Sequence, residues 1–169
     1  HVVQRRFRGF GDQWNFALRE LPITAPWTIK LDPDERLSLT LKRNLIESLV
    51  LDEVSGFSVI RRLWFMGRPL PVRLELVRVW RTGQGRFTDV AVNEHPIVDG
   101  RIERVAGDIE HHDSPDLDHW LEKQNRYTTA EAVIAYQQAP LADHPRLLGS
   151  VLQRRMWLKQ HFWRLPFRY

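Results

Sequence analysis

Three acidic residues, Asp32, Asp34 and Glu35, stand together in the run 27–37, Trp-Thr-Ile-Lys-Leu-Asp-Pro-Asp-Glu-Arg-Leu. Carboxylates so close repel one another unless a cation joins them. Hard oxygen ligands of this kind suit Mg²⁺ or Mn²⁺, which take a few carboxylates and complete their shell with water or the phosphates of a substrate. A nucleotide diphosphate is the natural partner of such a site. The competing reading is an acidic loop that caps a helix, with Asp34 as N-cap ahead of a helix over 37–51.

The elements around the turn decide how its acids are presented. Trp27, Ile29 and Leu31 alternate with Thr28 and Lys30, a period of two that predicts a strand with one buried face. Pro33 fixes φ and carries no N–H, so it ends the ladder and holds Asp32 and Asp34 in a tight turn at the strand's carboxyl end. Upstream, residues 1–7 read as a strand already in progress. Gly9 and Gly11 break it, and Asp12 is placed to cap a helix over 13–21. Strand, helix and strand predict a βαβ unit in a parallel sheet. With no initiator methionine and a strand that lacks a preceding partner, the chain reads as a piece whose upstream part is missing.

After the acidic turn, Leu39, Leu41, Leu45, Ile46 and Leu49 predict an amphipathic helix. Strands follow over 57–65, 72–80 and 87–92, then a hairpin over 97–102 around Asp99-Gly100. Ser114-Pro115-Asp116 has the signature of a helix start, with Ser114 as cap, and the helix should run to about residue 138 with Leu117, Trp120, Leu121 and Tyr127 inside. The fold class is therefore α/β, a mixed sheet flanked by helices.

The 169 residues, 43% of them hydrophobic, suffice for one core. No apolar run approaches a membrane span and no signal peptide is visible, which points to the cytoplasm. The absence of cysteine excludes disulfides and thiolate metal sites. Six of the 25 basic residues, Arg146, Arg154, Arg155, Lys159, Arg164 and Arg168, fall after residue 143 with no acid among them, so 19 stand against 21 acids in the rest. The body is slightly acidic and the tail strongly basic. This divides the chain into 1–138, a body, and 139–169, a basic amphipathic segment. Trp157, Phe162 and Trp163 among the tail's cations suit an anionic membrane surface. Binding of single-stranded nucleic acid would leave the acidic turn without a role.

The acidic turn, the helix Gln13-Trp14-Asn15-Phe16-Ala17-Leu18, the segment Val92-Asn93-Glu94-His95 and the run Glu122-Lys123-Gln124-Asn125-Arg126-Tyr127 occur in the order of a known family. The chain resembles the family 2 glycosyltransferases over 7–168, nearest the bacterial branch that includes lipopolysaccharide core β-glucosyltransferases. Its Leu-Asp-Pro-Asp-Glu resembles that family's Leu-Asp-Ala-Asp-Glu. The resemblance implies a GT-A fold that is incomplete at the N-terminus, a nucleotide-sugar donor, a divalent metal, a saccharide or lipid-linked acceptor and inversion at the anomeric carbon. It implies Asp34, Asp32 and His111 as metal ligands, and Asp32, Gln13, Asn15, Lys123 and Arg126 as donor or phosphate contacts. Glu94 is the implied general base, with His95 as competitor, at the inner face of the cytoplasmic membrane. Two positions depart from the pattern: Trp14 stands where a basic residue is usual, and Asn93 where the pair is usually His-Glu. The rival from another class is a membrane-associated scaffold or binding module without catalysis.

Overall fold

The computed structural model describes residues 2–89, 94–137, 144–149 and 151–161. It is a mixed α/β structure. In chain order the elements are α1 (Phe10–Glu20), β1 (Trp27–Ile29), β2 (Glu35–Leu37), α2 (Leu39–Ser48), β3 (Gly56–Phe65), β4 (Arg68–Arg81), β5 (Gly85–Phe87), β6 (Pro96–Val98), β7 (Ile102–Ser114), α3 (Leu117–Tyr136) and α4 (Val151–His161). Five strands form one sheet in the order β1-β4-β3-β7-β2, and β5 pairs with β6 in a second, small one.

The centre of the large sheet is the β3–β4 hairpin, closed by Met66 and Gly67, both at positive φ as a two-residue hairpin turn requires. Strand β7 runs parallel to β3, while β1 and β2 flank the sheet antiparallel to β4 and β7. Helix α2 supplies Leu41 and Leu45 to a core that contains Phe57, Val59, Val79, Val105 and Ile109. It lies so close to β7 that a Cβ at Gly107 would meet the Leu41 backbone nitrogen at 2.5 Å. Trp27 joins this core from the sheet's edge, its ring 5.3 Å from Phe57 and its indole N–H donating to Leu49 O at 3.1 Å.

Several local expectations are corrected. Residues 2–7 form no strand, and β1 pairs antiparallel with β4, so the expected βαβ unit is not built. Val2 is 96% exposed, and Arg5 is drawn instead to Asp12 at 2.6 Å. Asp12 lies inside α1, for which Gly9 is the N-cap. Ser38, not Asp34, caps the helix after the acidic turn, accepting from the Leu41 N–H at 3.2 Å, and Leu37 belongs to β2. Residues 97–102 are no hairpin, because β6 pairs with β5 while β7 pairs with β3 and β2. Ser114 ends β7, and Asp116 caps α3 by accepting from the His119 N–H at 2.8 Å. The expected inner face of α3 is largely open, with Leu117, Leu121 and Tyr127 exposed and Trp120 meeting Phe65 edge-on. Of the strand expected over 87–92, Phe87 ends β5, Thr88 and Asp89 are not in a strand, and residues 90–93 lie outside the described part.

Candidate functional site

The acidic turn bridges two edges of the sheet. Lys30 N–H still donates to Arg78 O at 2.9 Å, so the chain follows β4 just past β1. Residues 32–35 then make a β-turn with Pro33 second, closed by Glu35 N–H to Asp32 O at 2.9 Å. The chain next crosses to β7, where Glu35 pairs with His111 and the His112 N–H donates to Asp34 O at 2.9 Å. Asp32 is left beside β4 and Asp34 beside β7.

Around Asp34 the strand alternation of β7 puts His111 and Asp113 on the same side. His111 Nε2 lies 3.0 Å from Asp34 Oδ2 and 3.8 Å from Asp113 Oδ1. One ligand atom from each of the three falls within 4.8 Å of the others. Lys123, from α3, donates a very short hydrogen bond to Asp113 and stands 3.8 Å from Asp34 Oδ2. Burial raises the Asp113 carboxyl's pKa, but the Lys123 bond and charge outweigh it, and the net position is below the ordinary value. Burial likewise lowers the Lys123 ammonium, and Asp113 more than restores it, to a value above the ordinary one. Two carboxylates and an imidazole are a donor set that fits Mn²⁺ or Mg²⁺. The His111 Nδ1 is buried without a hydrogen-bond partner, and the ring's polar contacts are those of Nε2.

Around Asp32 the partners are different. Lys30 Nζ lies 3.3 Å from Asp32 Oδ1 and 3.7 Å from Glu94 Oε1, and 5.1 Å from the Trp14 ring centroid. Arg78 reaches Asp32 at 3.5 Å and Glu35 at 2.6 Å, and Arg61 reaches Glu35 at 3.7 Å. Burial pushes the Asp32 carboxyl up, while Lys30 and Arg78 pull it further down, below the ordinary value.

The residues named from sequence thus divide. Asp34, His111 and Lys123 come together, and Asp32 and Glu94 meet through Lys30. Asn15 spends its side-chain amide on both backbone groups of Phe87, at 2.9 and 2.8 Å, which fastens α1 to β5. Gln13 is exposed on α1 and Arg126 on α3, and Asn93 lies outside the described residues. Sequence reasoning did not assign Asp113, although its spacing from His111 is that of one strand face. It also missed the cations Lys30, Arg61 and Arg78. His112 points the other way, into a cleft of about 250 Å³ beside Arg36, Trp64 and Met66. In the tail, Arg146, Arg154 and Arg155 are exposed, and 162–169 lie outside the described residues. Among the described residues no helix is long and apolar enough to cross a membrane.

No family model matches the sequence. The chain is 29% identical over 170 residues to the lipopolysaccharide core biosynthesis glycosyltransferase LpsC of Rhizobium meliloti (strain 1021), an alignment that covers 94% of this chain and 61% of that protein. A likeness running through nearly all of the chain, acidic turn and β7 included, makes this chain similar to about three fifths of a sugar transferase.

Proposed function

We propose that the chain carries the metal and acid–base end of an inverting glycosyltransferase of family 2 and GT-A type, which moves a hexose from a nucleotide-sugar to a saccharide of the cell envelope such as lipopolysaccharide core. The observation that carries this reading is the convergence of Asp34, His111 and Asp113 from the acidic turn and β7, in a chain similar to a transferase. Mn²⁺ or Mg²⁺ held by these three would stabilise negative charge on the leaving diphosphate. Glu94 accepts the proton of the acceptor hydroxyl as that oxygen bonds to the anomeric carbon and the bond to the diphosphate breaks. Lys30 orients Glu94 and Asp32 towards one another. Gln13 and Arg126, exposed on their helices, are free to meet donor or acceptor phosphates.

The test is turnover of the enzyme that contains this chain, with chelator and with point variants. Asp34→Asn abolishes turnover, and Glu94→Gln lowers it about 10²- to 10⁴-fold, with donor binding near normal. Full activity in excess chelator, or near-normal turnover in Asp34→Asn, sinks the metal role. A greater loss in His95→Gln than in Glu94→Gln transfers the base to His95.

The exposed Arg146, Arg154 and Arg155 favour an acceptor that is lipid-linked and met at an anionic membrane face, each cation adding up to about 1 kcal/mol near such a surface. Sedimentation with anionic and with neutral vesicles checks this, and equal uptake by both removes the electrostatic part.

A further inference from the structure

We infer that Lys123 is a tethered counter-ion that competes with a divalent cation for the carboxylates of Asp34 and Asp113, and that it yields its place when an incoming phosphate offers its ammonium a new partner. The inference rests on the metal reading above.

The atoms involved are what carry it. Lys123 Nζ contacts Asp113 Oδ1 and Asp34 Oδ2, and these are the same two oxygens that His111 Nε2 faces. The ammonium is therefore not a neighbour of the donor set; it is bonded into it. The side chains of Lys123 and Asp113 are each only 21% exposed, so solvent screens the contact incompletely. A dication coordinated by these oxygens would lie within a single ligand's width of a fixed positive charge. Like charges at that separation in a partly shielded site repel strongly. The four-carbon stem of lysine lets the ammonium swing away without moving the helix that carries it. The swing leaves Lys123 unpaired unless another anion is present, and a diphosphate would supply one. Metal alone is then held weakly, and metal together with phosphate is held well.

The opposite role is a permanent brace, in which Lys123 keeps Asp113 aimed at the site. The two roles predict opposite signs. On the full chain, Mn²⁺ titration followed by the electron-spin signal of the free ion should show Lys123→Met binding Mn²⁺ about tenfold or more tighter than the wild type. Lys123→Arg keeps the charge and stays near wild-type affinity. Retention of inorganic pyrophosphate in saturating Mn²⁺ should change the other way, falling in Lys123→Met. Unchanged or weaker Mn²⁺ binding by Lys123→Met, in a protein with a wild-type circular dichroism spectrum, overturns the inference. Equal tightening in Lys123→Arg overturns it too, since charge would then not be the cause. If the wild type and both variants bind no Mn²⁺, the metal reading itself falls, and the counter-ion role with it.

Discussion

Asp32 and Asp34 are two residues apart in one turn, yet their surroundings differ in charge balance. On the Asp32 side, three cations, Lys30, Arg61 and Arg78, face three carboxylates, Asp32, Glu35 and Glu94. That region is neutral on its own residues. On the Asp34 side, the two carboxylates of Asp34 and Asp113 face one permanent cation, Lys123, with His111 contributing charge only when protonated. A net negative site with an imidazole beside it favours a dication more than a matched one does. The spacing Asp-x-Asp therefore does not make two equal ligands. Pro33 turns the chain so that one acid remains with β4 and the other passes to β7, and each is defined by the strand it reaches.

The largest loss is expected on removing the anion that holds the matched side together. The Glu35 side chain is fully buried, bonded to Arg78 at 2.6 Å, with Arg61 at 3.7 Å and the Asp32 N–H on its other oxygen at 3.1 Å. Burial and the nearby Arg78 already lower the pKa of Arg61, and Glu35 opposes them. Taking away one partner of a buried pair leaves its charge uncompensated, which costs about 3–5 kcal/mol. Glu35→Gln preserves the shape, removes the charge and turns one of the two accepting oxygens into a donor facing Arg78 or the Asp32 N–H, so urea unfolding at neutral pH should show a loss on at least that scale. A loss below about 1 kcal/mol would mean that Asp32 alone suffices for both arginines, and the matched description would be wrong.

How much of this the sequence disclosed depended on how local the cause was. The apolar run of β3, the alternation at the end of β4, the helical spacing of α1 and the amphipathic face of α2 are set by neighbours along the chain, and all were legible. Asp34, His111 and Lys123 were named in advance and meet in the structure, but on the strength of ordered motifs, not of any rule that puts 34 beside 111. Pairing is the part that single-residue patterns do not encode. Trp27–Ile29 reads as a strand on either kind of neighbour, and only the β1–β4 register shows it to be antiparallel. Asp113 was overlooked because β7 was read as the short arm of a hairpin ending at residue 102, so its period of two was never extended to His111 and Asp113. Lys30 and Arg78 look like ordinary solvated charges on alternating strands, and they acquire a role only when the sheet brings position 78 against the turn. Val2 and Val3 show the reverse error: β-branched residues that find no partner strand form no strand.

The smallest expected effect is the pH dependence of the Asp32 contribution. The Asp32 carboxyl is pushed up by burial and drawn below its ordinary value by Lys30 and Arg78. A depressed folded value means that the charged form favours the fold. The stabilisation is complete above the unfolded value of about 3.9 and is lost as pH falls through the lower, folded one. The side chain is 29% exposed, so solvent screens the pair and the contribution is set at about 1 kcal/mol. Asp32→Asn removes it at any pH. The difference in unfolding free energy between wild type and Asp32→Asn should therefore be about 1 kcal/mol at pH 7 and should shrink as the pH is taken below about 4. Urea midpoints measured at both ends of that range give the answer. A difference that stays constant across it would show that the Asp32 charge does not favour the fold, and that Lys30 and Arg78 are balanced by Glu35 and Glu94 alone.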